Sequence, residues 1–159
     1  MLGAVLLMAP TAKAETVALS CVGAEAAKFT PGLLFTEQQV AFDSLGVSGC
    51  AGVPLNILSA ISVTQGQGPQ SCLVASATSA ITIQWSDGTS SVAQGNTVAN
   101  LKPAGEIVIV LTGTVVSGRF VGAGVVRTLT LLNTNLLGCF FPPGVTDAAG
   151  PTTLVVTGI

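Results

Sequence analysis

Any chemistry in this chain has to come from seven carboxylates, five cationic side chains, four cysteines and its hydroxyls, because it contains no histidine and no tyrosine. A serine nucleophile needs a base, and the usual imidazole is missing. A Ser–Lys pair is the remaining option, yet Ser-x-x-Lys does not occur. The acidic residues are Glu15, Glu25, Glu37, Asp43, Asp87, Glu106 and Asp147. Glycoside hydrolysis needs two carboxyl groups flanking the scissile bond. None of these residues is locally paired, and each reads as a turn or solvent-face residue. No catalytic residue is assigned, and a hydrolase ranks last among the functions considered.

The same side chains are poor metal ligands. Cys21, Cys50, Cys72 and Cys139 include no Cys-x-x-Cys and have no histidine to complete a zinc site. Calcium takes about 6–8 oxygen ligands, and no Asp/Glu/Asn cluster offers them; only a site built from backbone carbonyls stays open. Gly66-Gln-Gly68-Pro69 lies between β-type runs and reads as a turn, not as a phosphate loop. No metal and no cofactor is expected.

An even number of cysteines behind an export signal reads as disulfides. Three pairings are possible; Cys21–Cys50 with Cys72–Cys139 is favoured because it clips each half separately. The export signal is Met1–Ala9, an apolar run followed by Pro10-Thr-Ala12-Lys13-Ala14, the small-x-small pattern of a cleavage site. No Lys or Arg precedes the run, as when a start is placed downstream of the true one. Residues 1–14 are therefore expected to be a signal peptide and 15–159 a single secreted domain. The run is shorter than the roughly 20 residues that a membrane-spanning helix needs, and no integral membrane segment is expected.

Composition narrows the partners. Hydrophobic residues make up 49% of the chain and charged ones 8%, with a net charge of −2. Such a chain folds, and its surface is covered by Ser, Thr, Gly, Asn and Gln. The five basic residues are scattered, so no nucleic-acid footprint is expected.

The elements that would position a site are β-strands throughout. Thr16–Val22, Glu37–Ser44, Leu55–Gln65, Ala80–Trp85, Glu106–Val116, Ala123–Leu132 and Thr152–Thr157 are strand candidates. Phe29-Thr-Pro31-Gly32 reads as a turn, Gly46–Pro54 as a Gly-rich connection, and Gly113 as a possible bulge. The clearest hairpin places Ile81, Ile83 and Trp85 on one face and turns at Asp87-Gly88, the pair preferred in type I′ turns. Glu106–Val116 is too β-branched for a helix, and its run Ile107–Leu111 suggests a strand buried on both faces. Short strands with turn signals predict a single-domain antiparallel β-sandwich of about 7–9 strands, with a β-barrel as runner-up.

Trp85 shares parity with Ile81 and Ile83 and is read as core. The candidate contact loops are the Asp87-Gly88 hairpin tip and the Ser117–Gly122 turn with Arg119 and Phe120, since loops on a rigid scaffold carry contacts. Arg119 is the leading residue because guanidinium offers several directional donors. The plainer alternative is that Arg119 pairs with a carboxylate such as Asp87 while Phe120 folds inward.

Taken together, Cys21, Pro31-Gly32, Ser71-Cys72, Ile83-Gln-Trp85-Ser-Asp87-Gly88, Gly113-Thr-Val-Val-Ser-Gly-Arg119-Phe-Val-Gly122 and Cys139 resemble a pattern in small secreted actinobacterial β proteins of unknown function. The resemblance covers most of residues 15–159, and the segment around Arg119 is its most specific part. It implies secretion and a compact β fold and carries no activity with it. A weaker, fold-level likeness is to the antibiotic-chromophore carriers, which are also small, low-charge, two-disulfide β-sandwiches.

The expected function is that of an extracellular or cell-envelope binding or structural protein. Its partner could be a cell-wall component, a second copy of the chain or a small apolar ligand; the main alternative is a carrier of such a ligand. Export and processing give the first prediction: secreted material begins at Glu15. N-terminal sequencing of protein from culture medium checks it, and retention of Met1 refutes it.

Overall fold

The computed structural model describes residues 15–101, 107–131 and 136–158. Alternation decides the architecture. In β1 (Val17–Leu33), Val17, Leu19, Cys21, Glu25, Ala27 and Phe29 are buried while Ala18, Ser20, Val22, Ala24 and Ala26 face out. The same period of two runs through β2 (Gln38–Val53), β3 (Ser59–Gln70), β4 (Val74–Trp85), β5 (Ser90–Leu101), β6 (Ile107–Gly118), β7 (Gly124–Leu131) and β8 (Val145–Gly158). The helical element among the described residues is one short 3-10 turn, Leu136–Cys139.

Each strand pairs antiparallel with the next, and β8 returns to β1 from Val17↔Gly158 to Lys28↔Asp147, closing an eight-stranded barrel. The all-β fold and both disulfides follow the sequence, but the two-layer sandwich does not. The strand pattern of a sandwich and of a barrel is the same alternation, so periodicity alone does not separate them. What separates them is strand length and inward-facing glycine. β1 and β2 run for 17 and 16 residues, long enough to wrap a cylinder.

Segments that look like connections are strand. Gly46–Val53 continues β2, Gly66–Gln70 completes β3, and Phe29–Gly32 lies within β1. A Cβ at Gly46 would sit 2.8 Å from Ser62 Oγ and 2.9 Å from Glu25 Oε1, and one at Gly66 would sit 2.6 Å from Phe42 Cε1. These glycines make room for Glu25 and Phe42 inside a narrow barrel. Gly113 is no bulge; it pairs with Gly95, and the register shift falls between Val92 and Ala93. No face of β6 is sealed by a second layer: Ile107, Ile109 and Leu111 point inward, and Val108 and Val110 lie half-buried outside.

The connections β2–β3, β4–β5 and β6–β7 lie at one end, here the hairpin end. The β1–β2, β3–β4 and β7–β8 connections lie at the other, the rim end. Trp85, Ile81, Ile83, Phe120, Leu111, Val125 and Leu154 fill the hairpin end. Phe29, Leu33, Phe42, Ile107, Ile109, Leu129 and Leu131 line the rim end.

Cys21–Cys50 joins facing residues of β1 and β2, and Cys72–Cys139 joins two rim connections. Their sequence separations of 29 and 67 residues give, in the chain-entropy model, about 3.5 and about 4.4 kcal/mol. The double variants Cys21→Ala/Cys50→Ala and Cys72→Ala/Cys139→Ala are expected to lose about 3–4 kcal/mol each in urea unfolding. Unreduced peptide mapping is expected to return the same two pairs.

Candidate functional site

The hairpin tip forms as the sequence suggests, with a different turn. Gly88 N–H donates to Trp85 O at 3.0 Å and Trp85 N–H to Thr89 O at 2.8 Å, while Gly88 takes φ +88°. Only the glycine is left-handed, so this is a three-residue turn with a glycine bulge, not type I′. Hydrogen bonds from the Thr89 hydroxyl and backbone N–H hold the Asp87 carboxyl below its ordinary range, with Arg119 adding to them.

Arg119 stands beside this tip already engaged. Its Nε and Nη2 meet the two oxygens of Glu15 at 3.2 and 2.9 Å, and its Nη1 donates to Asp87. The guanidinium lies 4.8 Å from the centre of the Phe120 ring. Phe120 is buried and edge-on to Trp85 at 5.6 Å, so it is not a surface contact residue. Trp85 is core, as its parity indicates, with Nε1–H donating to Ser91 Oγ at 2.9 Å. Asp87, Arg119 and Glu15 thus form a local clasp that ties the segment just ahead of β1 to two hairpins.

Two residues inside the barrel escape the sequence reading. Glu25 and Arg127 are 3% and 1% exposed, and Arg127 Nη1 donates to Glu25 Oε2. Glu25 is therefore not on a solvent face. Around them Ser44, Ser62, Thr64, Ser79 and Thr97 are buried too, with Ser79 and Thr97 hydroxyls 2.7 Å apart. Burial raises the Glu25 carboxyl above its ordinary 4.5, outweighing the pull of Arg127 and of the nearby Ser44 hydroxyl. Burial likewise lowers Arg127. Arg127 Nε and Nη2 and Thr64 Oγ1 make no hydrogen bond with the described residues, while the Ser44 hydroxyl stands against the Glu25 carboxyl.

Between this polar layer and the rim lies a cavity of about 20 Å³. Its walls include Phe29, Phe42, Ala75, Ala99 and Leu129, with Arg127 and Ser44 among its lining. Above it the rim is tied together. Cys72 N–H donates to Leu34 O at 2.8 Å, Phe35 N–H to Cys139 O at 3.1 Å, and Cys72–Cys139 is bonded. On this clamped rim Phe140 and Phe141 are 61% and 71% exposed, and Phe35 meets Phe140 edge-on at 4.6 Å. Pro142-Pro143-Gly144 marks this segment as a loop in the sequence, but loop spacing does not say which way the rings face.

On the outer wall, register sets Lys28 between Asp43 and Asp147. These carboxylates are two strand spacings apart, roughly 10 Å, on either side of Lys28 in the register. They are exposed cross-strand neighbours of a cation, too far apart to act as an acid–base dyad. Among the described residues no group of three or more His, Cys, Asp or Glu could hold a metal ion. No helix among them is long and apolar enough to cross a membrane. Glu106 and residues 1–14, where a signal peptide is expected, lie outside the described residues. Comparison of the chain with protein-family profiles, characterised proteins and solved structures yields no match.

The buried pair generates a prediction with a sign. Arg127→Met strands the Glu25 carboxylate and is expected to cost about 3–5 kcal/mol at pH 7. Glu25 in that variant has a folded pKa raised above its unfolded value. Its contribution is therefore fully present below about pH 4.5 and is lost as pH rises, so the penalty shrinks in acid. The double variant Glu25→Leu/Arg127→Met recovers most of the loss. Chemical denaturation of the three proteins at pH 4 and pH 7 checks this.

Proposed function

We propose that this chain is an exported binding protein whose contact surface is the rim end of the barrel, and that it acts without catalysis. The observation that carries the reading is the pair Phe140 and Phe141, exposed on a rim anchored by Cys72–Cys139. Exposed large aromatics held rigid contribute contact area at low entropic cost, and they mark interaction sites on soluble domains. Two disulfides support an oxidising, extracellular setting. The exposed rings favour an apolar or amphipathic partner over a polar one; the chamber beneath them, about 20 Å³, has room for about one water, so such a partner meets the rim from outside.

A second reading, contact with a cell-wall component or another copy, is favoured by the outer wall. Val22, Leu45, Val47, Ile61 and Val63 are exposed on β1, β2 and β3, and register sets Leu45 against Val63 and Val47 against Ile61. Barrel closure leaves no edge strand among the described elements, so strand addition is not the route for such contacts.

Phe140→Ser/Phe141→Ser is expected to weaken binding of an apolar naphthalene-sulfonate dye at least tenfold with the melting temperature within a few degrees of the parent. Fluorescence titration and thermal unfolding read the two effects. Undiminished dye binding, with Leu45→Ser/Val63→Ser abolishing it instead, moves the contact surface to the wall.

A further inference from the structure

We propose that the outer wall along the seam of β1 and β2 is the interface of a two-fold dimer of this chain. This rests on the wall reading above, to which it adds the partner, and it does not depend on the rim. The observation is a run of unequal neighbours. Register sets Val22 beside Gly49, Ala24 beside Val47, Ala26 beside Leu45 and Lys28 beside Asp43. All eight residues are exposed. Each pair joins a large side chain to a small one, or a cation to an anion. The imbalance continues on the flanking strands. Pro151 and Ala149 of β8 stand beside Ala24 and Ala26, whereas Ile61 and Val63 of β3 stand beside Val47 and Leu45. Above the Lys28 row the wall is low on the β8–β1 side and raised on the β2–β3 side.

A two-fold axis lying along this seam sets β1 of one copy over β2 of the other at the same level. In such an isologous contact residue i meets j and j meets i, so each member of an unequal pair meets its complement. Leu45 comes over the partner's Ala26, Val47 over the partner's Ala24, and Val22 over the partner's Gly49. A Cβ built on Gly49 meets nothing within 4 Å, so the space above it is open to that side chain. Ile61 falls over the partner's Pro151 and Val63 over the partner's Ala149. Lys28 meets the partner's Asp43, and the symmetry repeats the contact. A trough on this wall already has Ala26, Ala149, Leu45 and Val63 in its lining, together with Lys28, Asp43 and Asp147.

Composition and size favour a second copy over a polar polymer. From the Val22 row to the Ala26 row the outward residues of β8, β1, β2 and β3 are apolar except Thr153 and Ser59. Covering them with polar groups would leave those groups without hydrogen bonds. The face is four strands wide and runs from Val22 to Lys28, roughly 400 Å² in all. Stable interfaces bury about 800 Å² per partner. The dimer is therefore weak and reversible, with an apolar centre and charges at its edge. Exposed ion pairs add little affinity; their part is to fix the register.

The test is sedimentation velocity of the full secreted chain from micromolar to millimolar concentration, with thermal unfolding of each variant. A monomer–dimer equilibrium is expected. Gly49→Val is expected to weaken it at least tenfold without lowering the melting temperature, since the added side chain meets nothing in its own chain and occupies the space that the partner's Val22 takes. That variant makes the wall more apolar, so unchanged or stronger association overturns the interlocking geometry. Lys28→Glu and Asp43→Lys are each expected to dimerise at least tenfold more weakly. An equimolar mixture of the two regains the dimer, because only there does every position 28 meet the opposite charge at position 43 across the axis. Failure of the mixture to associate overturns the two-fold register. A chain that stays monomeric overturns this proposal. The wall reading then stands, with another partner, if Leu45→Ser/Val63→Ser abolishes dye binding, and falls too if that variant binds dye as the parent does.

Discussion

The ion pair between Glu25 and Arg127 divides the barrel, and most of the interior follows from it. Two charges drawn from water need partners, and the chain surrounds them with hydroxyl-bearing residues and with glycines that leave them space. An eight-stranded barrel has an interior just wide enough for side chains to fill. A polar layer at mid-height therefore cuts the apolar interior into two clusters that cannot merge. Trp85 and Phe120 fill the hairpin cluster. Ala27, Ala75 and Ala99 sit in the rim cluster, where small side chains leave the chamber.

Closure and clamping then decide where contact can occur. With every described strand paired on both sides, recognition falls to side chains on the walls and at the ends. The hairpin end has its charges spoken for, since Glu15, Asp87 and Arg119 satisfy one another. Its aromatic residues are core. The rim end keeps aromatic surface in water and is held in place by a disulfide and two inter-loop hydrogen bonds.

Much of this was legible in the residues, and the reasons for the rest are physical. The inward parity of Ile81, Ile83 and Trp85, the Asp87-Gly88 reversal and the favoured cysteine pairs all agree with the structure. These depend on local rules: a period of two, the left-handed freedom of Gly88, and loop proximity. Barrel against sandwich was not legible, because closure is a property of register around the whole sheet. Gly46, Gly66 and Gly113 mislead for a related reason. Glycine in a turn answers to backbone dihedral, whereas here it answers to crowding by Glu25, by Phe42 and between facing strands. Glu25 and Arg127 carried a usable signal, since Glu25 shares parity with Cys21 and Phe29, and Arg127 with Leu129 and Leu131. Treating charge as a mark of solvent hid it. Two opposite charges on inward parity read better as partners for one another.

The division of labour between the ends has a thermodynamic basis. Contacts that stabilise a fold are those fully made in its native state; contacts that serve recognition must be left partly unmade until the partner arrives. The hairpin end is of the first kind, with Trp85 Nε1 satisfied by Ser91 and Arg119 matched by two carboxylates. The rim end is of the second kind, with two phenyl rings left in water. Such a surface is costly to carry, and the disulfides offset that cost by constraining the unfolded chain. Cys72–Cys139 does both at once: it constrains the unfolded chain and joins two of the connections that make the rim.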